Sequence, residues 1–281
     1  MSPTFSWLGA GLLWLAGCQH RPPTVAATVD MDVLAAARAR PVLDPVKARF
    51  TVKLRSKQLD IAGTTGGGII ADRPGSSRIE LFGPMGGSLL AVVSDGRSIS
   101  VTLPGARRQL VSDDAENVLR EATGGVAGMD DVVAMLVGDL PFDNAPVRSQ
   151  RVMPDDPMRT EAVLDGPRGT AIEVQMERQY ATPRQLIARN ALGEPLIVAR
   201  FDAFKEVRRD GASYWMPTEV DLWIPAVDLT VETRFKGWEP LAEAPAVFSV
   251  QPVPGMVVSP LEEAVREAVV DMNAKRVKPN R

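Results

Sequence analysis

From Val46 onward, apolar side chains recur at every second position. Ala48, Phe50, Val52 and Leu54 alternate with Lys47, Arg49, Thr51, Lys53 and Arg55. On a pleated strand that spacing sends the apolar set to one face and the polar set to the other. The pattern returns in Ile79 and Leu81 against Arg78 and Glu80, and in Ile99, Val101 and Leu103 against Ser98, Ser100 and Thr102. Asp95-Gly96 is a hairpin-turn pair, which makes these runs antiparallel neighbours. Strands resume near Arg148 and continue to Trp238, through Ile172, Val174 and Met176, then Ile197, Ala199 and Phe201, then Val227, Leu229, Val231 and Phe235. Reversals of chain direction fall at Gly166-Pro167, Gly193-Glu194 and Asp210-Gly211.

Elsewhere the period lengthens to that of a helix. Met31 to Arg40 carries helix formers with Leu34 and Ala37 on one side, Asp30 placed to cap and Pro41 to stop. Asp113 to Ala122 puts Ala115, Val118, Leu119 and Ala122 on one face, with Asp113 and Glu116 in capping-box positions. Met129, Val132, Val133 and Leu136 form the apolar stripe of a helix from Met129 to Val137, which Gly138 and Pro141 end. Ser259-Pro260-Leu261-Glu262 reads as cap, first-turn proline and capping-box glutamate of an amphipathic helix, with Leu261, Val265, Ala268, Val269 and Met272 along its face.

Strands, two one-sided helices and more strands, with no βαβ alternation, predict a mainly β (α+β) domain. Its antiparallel sheet curls, as a half-open barrel would, around helices on the concave face, and a C-terminal helix is added. No break in composition divides it. The expected organisation is a signal peptide over 1–17, a tether over 18–30 rich in Pro, Thr and Ala, the β domain over 31–258, and the C-terminal helix and tail over 259–281.

Composition narrows function by exclusion. With 281 residues, 45% of them hydrophobic, the chain can fill a sizeable core. Its 32 basic and 35 acidic residues leave a net charge of −3 and no dense Lys/Arg run, so no nucleic-acid partner is expected. One histidine, His20, and one cysteine, Cys18, exclude an internal disulfide and leave a Cys/His zinc cage without ligands. Ser-His and Cys-His nucleophile pairs go the same way. No enzyme activity, cofactor or metal is therefore expected. The acidic pairs Asp113-Asp114, Asp130-Asp131 and Asp155-Asp156 sit at helix starts or in a turn, where carboxylates cap free amides. Gly66-Gly67-Gly68 lacks the Gly-Lys-Ser/Thr of a phosphate cradle and reads as local sheet curvature.

Trp7 to Ala16 is an apolar run too short to anchor in a bilayer and of the length of a signal-peptide core. It ends in Leu15-Ala16-Gly17-Cys18, which resembles the bacterial lipobox. That resemblance implies cleavage before Cys18 and its acylation, with palmitate among the expected chains. The segment before Trp7 has no Lys or Arg, so the positive charge usual there comes from the terminal amine alone. Gln19 in the second mature position implies sorting to the outer membrane, with the domain in the periplasm.

The stretch from Leu81 to Pro141 resembles the LolB-like outer-membrane lipoprotein receptors and, more broadly, the LolA/LolB-like fold. The resemblance is sharpest in DDAENVLREATG (113–124) followed by MDDVVAMLVGDLP (129–141). It implies that the paired helices plug a half-closed barrel, leaving a hydrophobic cavity for the acyl chains of another lipoprotein. The residues expected to line that cavity are Phe50, Leu81, Val118, Leu119, Val132, Leu136, Trp215 and Trp223, although core packing of the sheet explains the tryptophans as readily. The family's exposed membrane-contact loop corresponds to Pro84, Met85 and Gly86, with flexible, apolar Met85 in place of leucine. The glycines and proline around Met85 equally suit an ordinary hairpin tip. Implied partners are membrane lipid and acylated lipoproteins, delivered by a periplasmic LolA-like carrier. The alternative is a structural or assembly lipoprotein that uses the same fold as a docking module, with a cavity filled by its own side chains.

Overall fold

The computed structural model describes residues 32–57, 61–142 and 144–267. The expected signal peptide, Cys18, the tether with Asp30, and the helix positions Ala268, Val269 and Met272 lie outside the described residues. The short helix α1 (Val33–Arg38) leads into β1 (Val46–Ser56), β2 (Ile61–Asp72), β3 (Ser76–Phe82), β4 (Ser88–Asp95), β5 (Ile99–Leu103) and β6 (Arg108–Ser112). The helices α2 (Ala115–Ala122) and α3 (Met129–Val137) follow. Strands resume with β7 (Val147–Met153), β8 (Asp156–Asp165), β9 (Ala171–Glu177), β10 (Thr182–Arg189), β11 (Pro195–Asp202), β12 (Lys205–Arg209), β13 (Ala212–Met216), β14 (Glu219–Ile224), β15 (Leu229–Pro240) and β16 (Val257–Pro260).

Fourteen of these strands make one curled, unclosed sheet in the order β16-β6-β5-β4-β3-β2-β1-β15-β14-β11-β10-β9-β8-β7, and β12 and β13 make a separate ribbon. Neighbours are antiparallel except β16, which lies parallel on β6. The first six strands form one meander and the last strands of the large sheet another, joined where β1 pairs with β15. β6 and β7 lie near opposite edges, so α2 and α3, which connect them, cross the width of the sheet. Crossing on the concave side buries their apolar faces against it: Val118, Met129 and Val133 are core residues alongside Phe50, Val52, Ile69 and Phe235.

The alternation in β1 survives intact, with Val46, Ala48, Phe50 and Val52 buried and Lys47 and Arg49 exposed. Its partner β15 does not keep strict alternation. The register slips between Arg49 and Phe50, pairing them with Gly237 and Phe235, so Lys236 is the extra residue of a bulge. The bulge brings Phe235 and Trp238, which strict alternation would put on opposite faces, to the same side; their rings lie 4.4 Å apart.

Local expectations needed correction at three ends. The cap of α1 is Asp32, whose Oδ1 accepts from the Ala35 N–H at 3.0 Å. The cap of α2 is Asp114, accepting from Asn117, so Asp113 lies outside the helix and Ala122 is exposed. Near the C-terminus Ser259 and Pro260 belong to the edge strand, and the helix begins at Leu261. Pairing with β6 claims those backbone groups before a helix can. The strap leading to β16 is held by buried Gln109, whose Nε2 donates to the Gln251 carbonyl at 2.9 Å and whose Oε1 accepts from the Val253 N–H at 2.8 Å.

An ionic network pins the C-terminal end of α3. Asp139 accepts from Arg40 at 2.6 Å and from Arg73, and Arg73 also reaches Asp44 at 3.1 Å. Burial raises the Asp44 carboxyl above its ordinary pKa against the pull of Arg73. A folded-state pKa above the unfolded one means that the folded chain holds this proton longer, so the group removes stability as pH rises from about 4. Replacing Asp44 by Asn is therefore expected to make urea unfolding midpoints fall less than the parent's as pH rises from about 4 through the raised folded-state pKa, with a constant offset above it.

Candidate binding cavity

The concave face is not filled. A cavity of about 180 Å³ lies between the sheet and α3. Phe50, Val52 and Leu54 on β1, Ile69 on β2, Ile79 and Leu81 on β3 and Leu90 on β4 line one side. Val231, Thr233 and Phe235 on β15 line the other, and Leu136 of α3 lines it from the helical side. Thr233 is the single hydroxyl among these residues.

Register explains why space remains. Leu81, Gly67, Phe50 and Phe235 stand side by side across β3, β2, β1 and β15. At that level β2 contributes no side chain, and the Phe50 ring lies in the gap: a Cβ on Gly67 would sit 2.4 Å from Phe50 Cε2 and 2.7 Å from the Glu80 carbonyl oxygen. Four residues on, Gly63 faces Leu54. The glycine run thus has a close-packing role on the inner face, which the sequence reading as curvature alone did not include.

The paired helices are held as one unit. Glu116 of α2 accepts from the first N–H of α3, at Met129, at 2.9 Å, and is itself held by Arg120. Asp131 accepts from Gly128 and Phe142, fixing both ends of the segment, and burial raises its carboxyl above the ordinary range. One carboxylate of each acidic pair therefore serves backbone amides: beside Asp131, Asp114 caps α2 and Asp156 accepts from Met158. Among the described residues no cluster of His, Cys, Asp and Glu has the geometry to hold a metal ion.

Of the eight residues expected to line the cavity, Phe50, Leu81 and Leu136 do so. Val118 is packed in the core, and Leu119 and Val132 are half-buried against it. Trp215 lies on the β12–β13 ribbon, stacked on Tyr180 with ring centroids 4.0 Å apart. That ribbon covers the far end, where Tyr214, Trp215 and Met216 meet Pro41, Leu43 and Val137. Trp223 is 40% exposed: it pairs with Val198 and Thr230 on the convex face, one position out of phase with Leu222. Alternation could have excluded it. The same alternation also marks Val52, Leu54, Ile79 and Val231 as in phase with Phe50 and Leu81. It places Thr233 on the same face as Val231 and Phe235 as well, whereas nothing local in the sequence singles out Leu90.

The other end of the cavity points toward the β3–β4 turn, which follows Leu81 and precedes Leu90. There Pro84, Met85 and Gly86 form the tip. Gly86 takes a positive φ, and Met85 is fully exposed, at 101% of its reference area. Among the described residues no helix is long and apolar enough to cross a membrane.

No protein-family model matches the chain, and no curated protein does. Solved structures do match. A LolA superfamily protein from Nitrosomonas europaea aligns with a TM-score of 0.51 at 12% identity, over 78% of this chain and 96% of that one. A putative outer membrane lipoprotein-sorting protein domain from Vibrio parahaemolyticus gives 0.53 at 12% identity, over 76% and 93%. A DUF1329 family protein from Desulfovibrio piger gives 0.55 at 10% identity, over 78% and 95%. At these identities the likeness is one of fold, and the fold is LolA-like.

Two substitutions test this description. Gly67→Ala is expected to destabilise the protein by about 1–3 kcal/mol, since its methyl meets both the Phe50 ring and a backbone carbonyl. The check is a lower urea midpoint at an unchanged m-value. Met85→Glu, at a solvated tip, is expected to leave that midpoint within about 0.5 kcal/mol of the parent.

Proposed function

We propose that this chain, LolA-like in fold, is an outer-membrane lipoprotein anchored through an acylated Cys18, receiving acyl chains of lipoproteins or lipids in its concave cavity and passing them to the membrane. The observation that carries this reading is the cavity itself: about 180 Å³ of space walled by aliphatic and aromatic side chains and a single threonine. Such a wall offers a guest hydrocarbon contact and almost no polar recognition, which suits a chain of methylenes that gains about 0.8 kcal/mol for each one removed from water. The space is close to the roughly 150 Å³ that admits benzene in an engineered apolar cavity. It therefore takes a short stretch of acyl chain, and a longer one requires Leu136 and α3 to move off the sheet.

The lipobox ending at Cys18 and the presence of Gln19 support attachment and outer-membrane sorting. The LolB-like motifs at 113–124 and 129–141, and the tip at Pro84, Met85 and Gly86, support receipt and delivery, with a periplasmic LolA-like carrier as donor. No catalytic role is assigned to any residue. A docking module would have filled its concave face with its own side chains, so the unfilled space favours the carrier over the assembly lipoprotein.

The chain from Gln19 onward contains every described residue, and its purified form is expected to carry acylated species detectable by mass spectrometry and to take up a fluorescent fatty acid. Leu90→Trp, which puts an indole into the cavity, should weaken that uptake roughly tenfold. If the parent chain captures no acyl species and the indole changes nothing, the carrier reading fails. Met85→Glu should leave uptake intact and slow transfer from the loaded protein to vesicles; equal transfer rates would remove Met85 from delivery.

A further inference from the structure

Two turns of the sheet share one construction. In the β3–β4 turn the Gly83 N–H donates to the Gly87 carbonyl at 2.7 Å and the Gly86 N–H to the Gly83 carbonyl at 2.9 Å. In the β10–β11 turn the Asn190 N–H donates to the Glu194 carbonyl and the Gly193 N–H to the Asn190 carbonyl, both at 2.9 Å. Each has glycine in its fourth position with a positive φ, 80° at Gly86 and 79° at Gly193. Each displays one large apolar residue in its third position. These residues, Met85 at 101% and Leu192 at 84%, have the highest exposures among the large hydrophobics of the described residues.

The geometry of such a turn calls for the glycine and for nothing apolar before it. Leu192 is nonetheless presented rigidly. Asn190 Oδ1 accepts from the Leu192 and Glu194 N–H groups, and Arg189 donates to the Gly193 carbonyl and to Glu173. A side chain that the fold does not use is held out in water by a tightly bonded loop.

Strand direction puts both tips at the same end of the sheet. β1, β3, β10 and β14 all run toward it and β2, β4, β11 and β15 away from it, as their antiparallel registers require. That is also the end where Leu54, Leu90 and Val231 line the cavity. At the opposite end, the tips at Pro74-Gly75, Asp95-Gly96 and Pro154-Asp155 present no large aliphatic side chain.

We propose that Leu192 is a second membrane-contact residue, which together with Met85 seats the open end of the cavity on a lipid bilayer. Two isolated apolar tips on separate turns match a fluid hydrocarbon that closes around each one, whereas a protein partner would need a continuous complementary surface. Exposed Arg107, in the β5–β6 turn, and exposed Arg108, which opens β6 at the same end, suit anionic lipid phosphates. Fully extended, residues 18–31 reach about 45–50 Å at most, longer than the roughly 36 Å of β1, so an anchor at Cys18 permits this end to touch the membrane. The inference rests on the reading of the chain as membrane-tethered, and extends it from one contact to two.

The test uses the chain from Gln19 onward, without the anchor, floated with vesicles of phosphatidylethanolamine and phosphatidylglycerol. Leu192→Asp and Met85→Asp are each expected to weaken partitioning roughly five- to tenfold, and the double variant more than either, since binding scales with the apolar area inserted. Val152→Asp, a half-exposed position toward the other end, should match the parent. A dye on Leu192→Cys, in a chain with no other cysteine, should shift its emission to the blue when vesicles are added. Leu192→Asp floating like the parent, a loss with Val152→Asp as large as with Leu192→Asp, or an unshifted dye would each overturn the proposal. Fatty-acid uptake by the same samples reports on the cavity alone, so the two readings can fail separately.

Discussion

The strands flanking the helical insertion stand near opposite edges of the fourteen-stranded sheet, so the segment joining them has to traverse its width. Two amphipathic helices make that crossing stable only by burying their stripes against the concave face, and the rest of the molecule is arranged around this constraint. Glu116 and Asp131 bond backbone amides so that the pair crosses as one piece. The ionic network of Arg40, Arg73, Asp44 and Asp139 fixes the end of α3, and the β12–β13 ribbon covers it.

The crossing covers one part of the concave face and leaves another open. Where β2 carries Gly67 and Gly63 on its inner side it adds no side chain of its own, the Phe50 ring occupies the gap beside Gly67, and Leu136 overlooks the space that the surrounding strands line. A void of this kind forfeits dispersion contacts and costs stability, so its persistence beneath a helix that could have been furnished with larger residues points to use. Its location next to an end bearing solvated Met85 and Leu192 puts an apolar interior beside two apolar tips, the arrangement on which the proposed transfer of hydrocarbon rests.

The two central helices and most strands were legible because each is a local periodicity, although α3 also buries Ala134, Met135 and Val137, off the expected stripe, and leaves Val132 and Leu136 half-buried. The stripe of α3 was read with its correct ends, Met129 to Val137, because a glycine with a positive φ stops it. Caps were less legible. Asp113 and Asp114 both satisfy the preference for a capping carboxylate, and the choice between them depends on where β6 releases the chain. Ser259 and Pro260 look like a helix start and become an edge strand because β6 offers open backbone groups that no nearby residue announces. The aromatic residues misled most: Trp215 and Trp223 are large and apolar, yet one covers the far end and the other sits on the convex face.

The amino-acid order by itself marked the central helices and those strands that alternate apolar with polar positions, because such patterns repeat over distances of a few residues. It also carried Leu15-Ala16-Gly17-Cys18, which resembles a lipobox, and the helix-pair stretches that resemble LolB-like receptors. Tertiary structure alone decided that Phe50, Gly67, Leu81 and Phe235 share one row, that a bulge at Lys236 brings Phe235 and Trp238 together, and that Met85 and Leu192, more than a hundred positions apart, mark the same end of the sheet. Register, bulges and the way a sheet curls arise from pairings between distant strands, and no periodicity within a single strand encodes them.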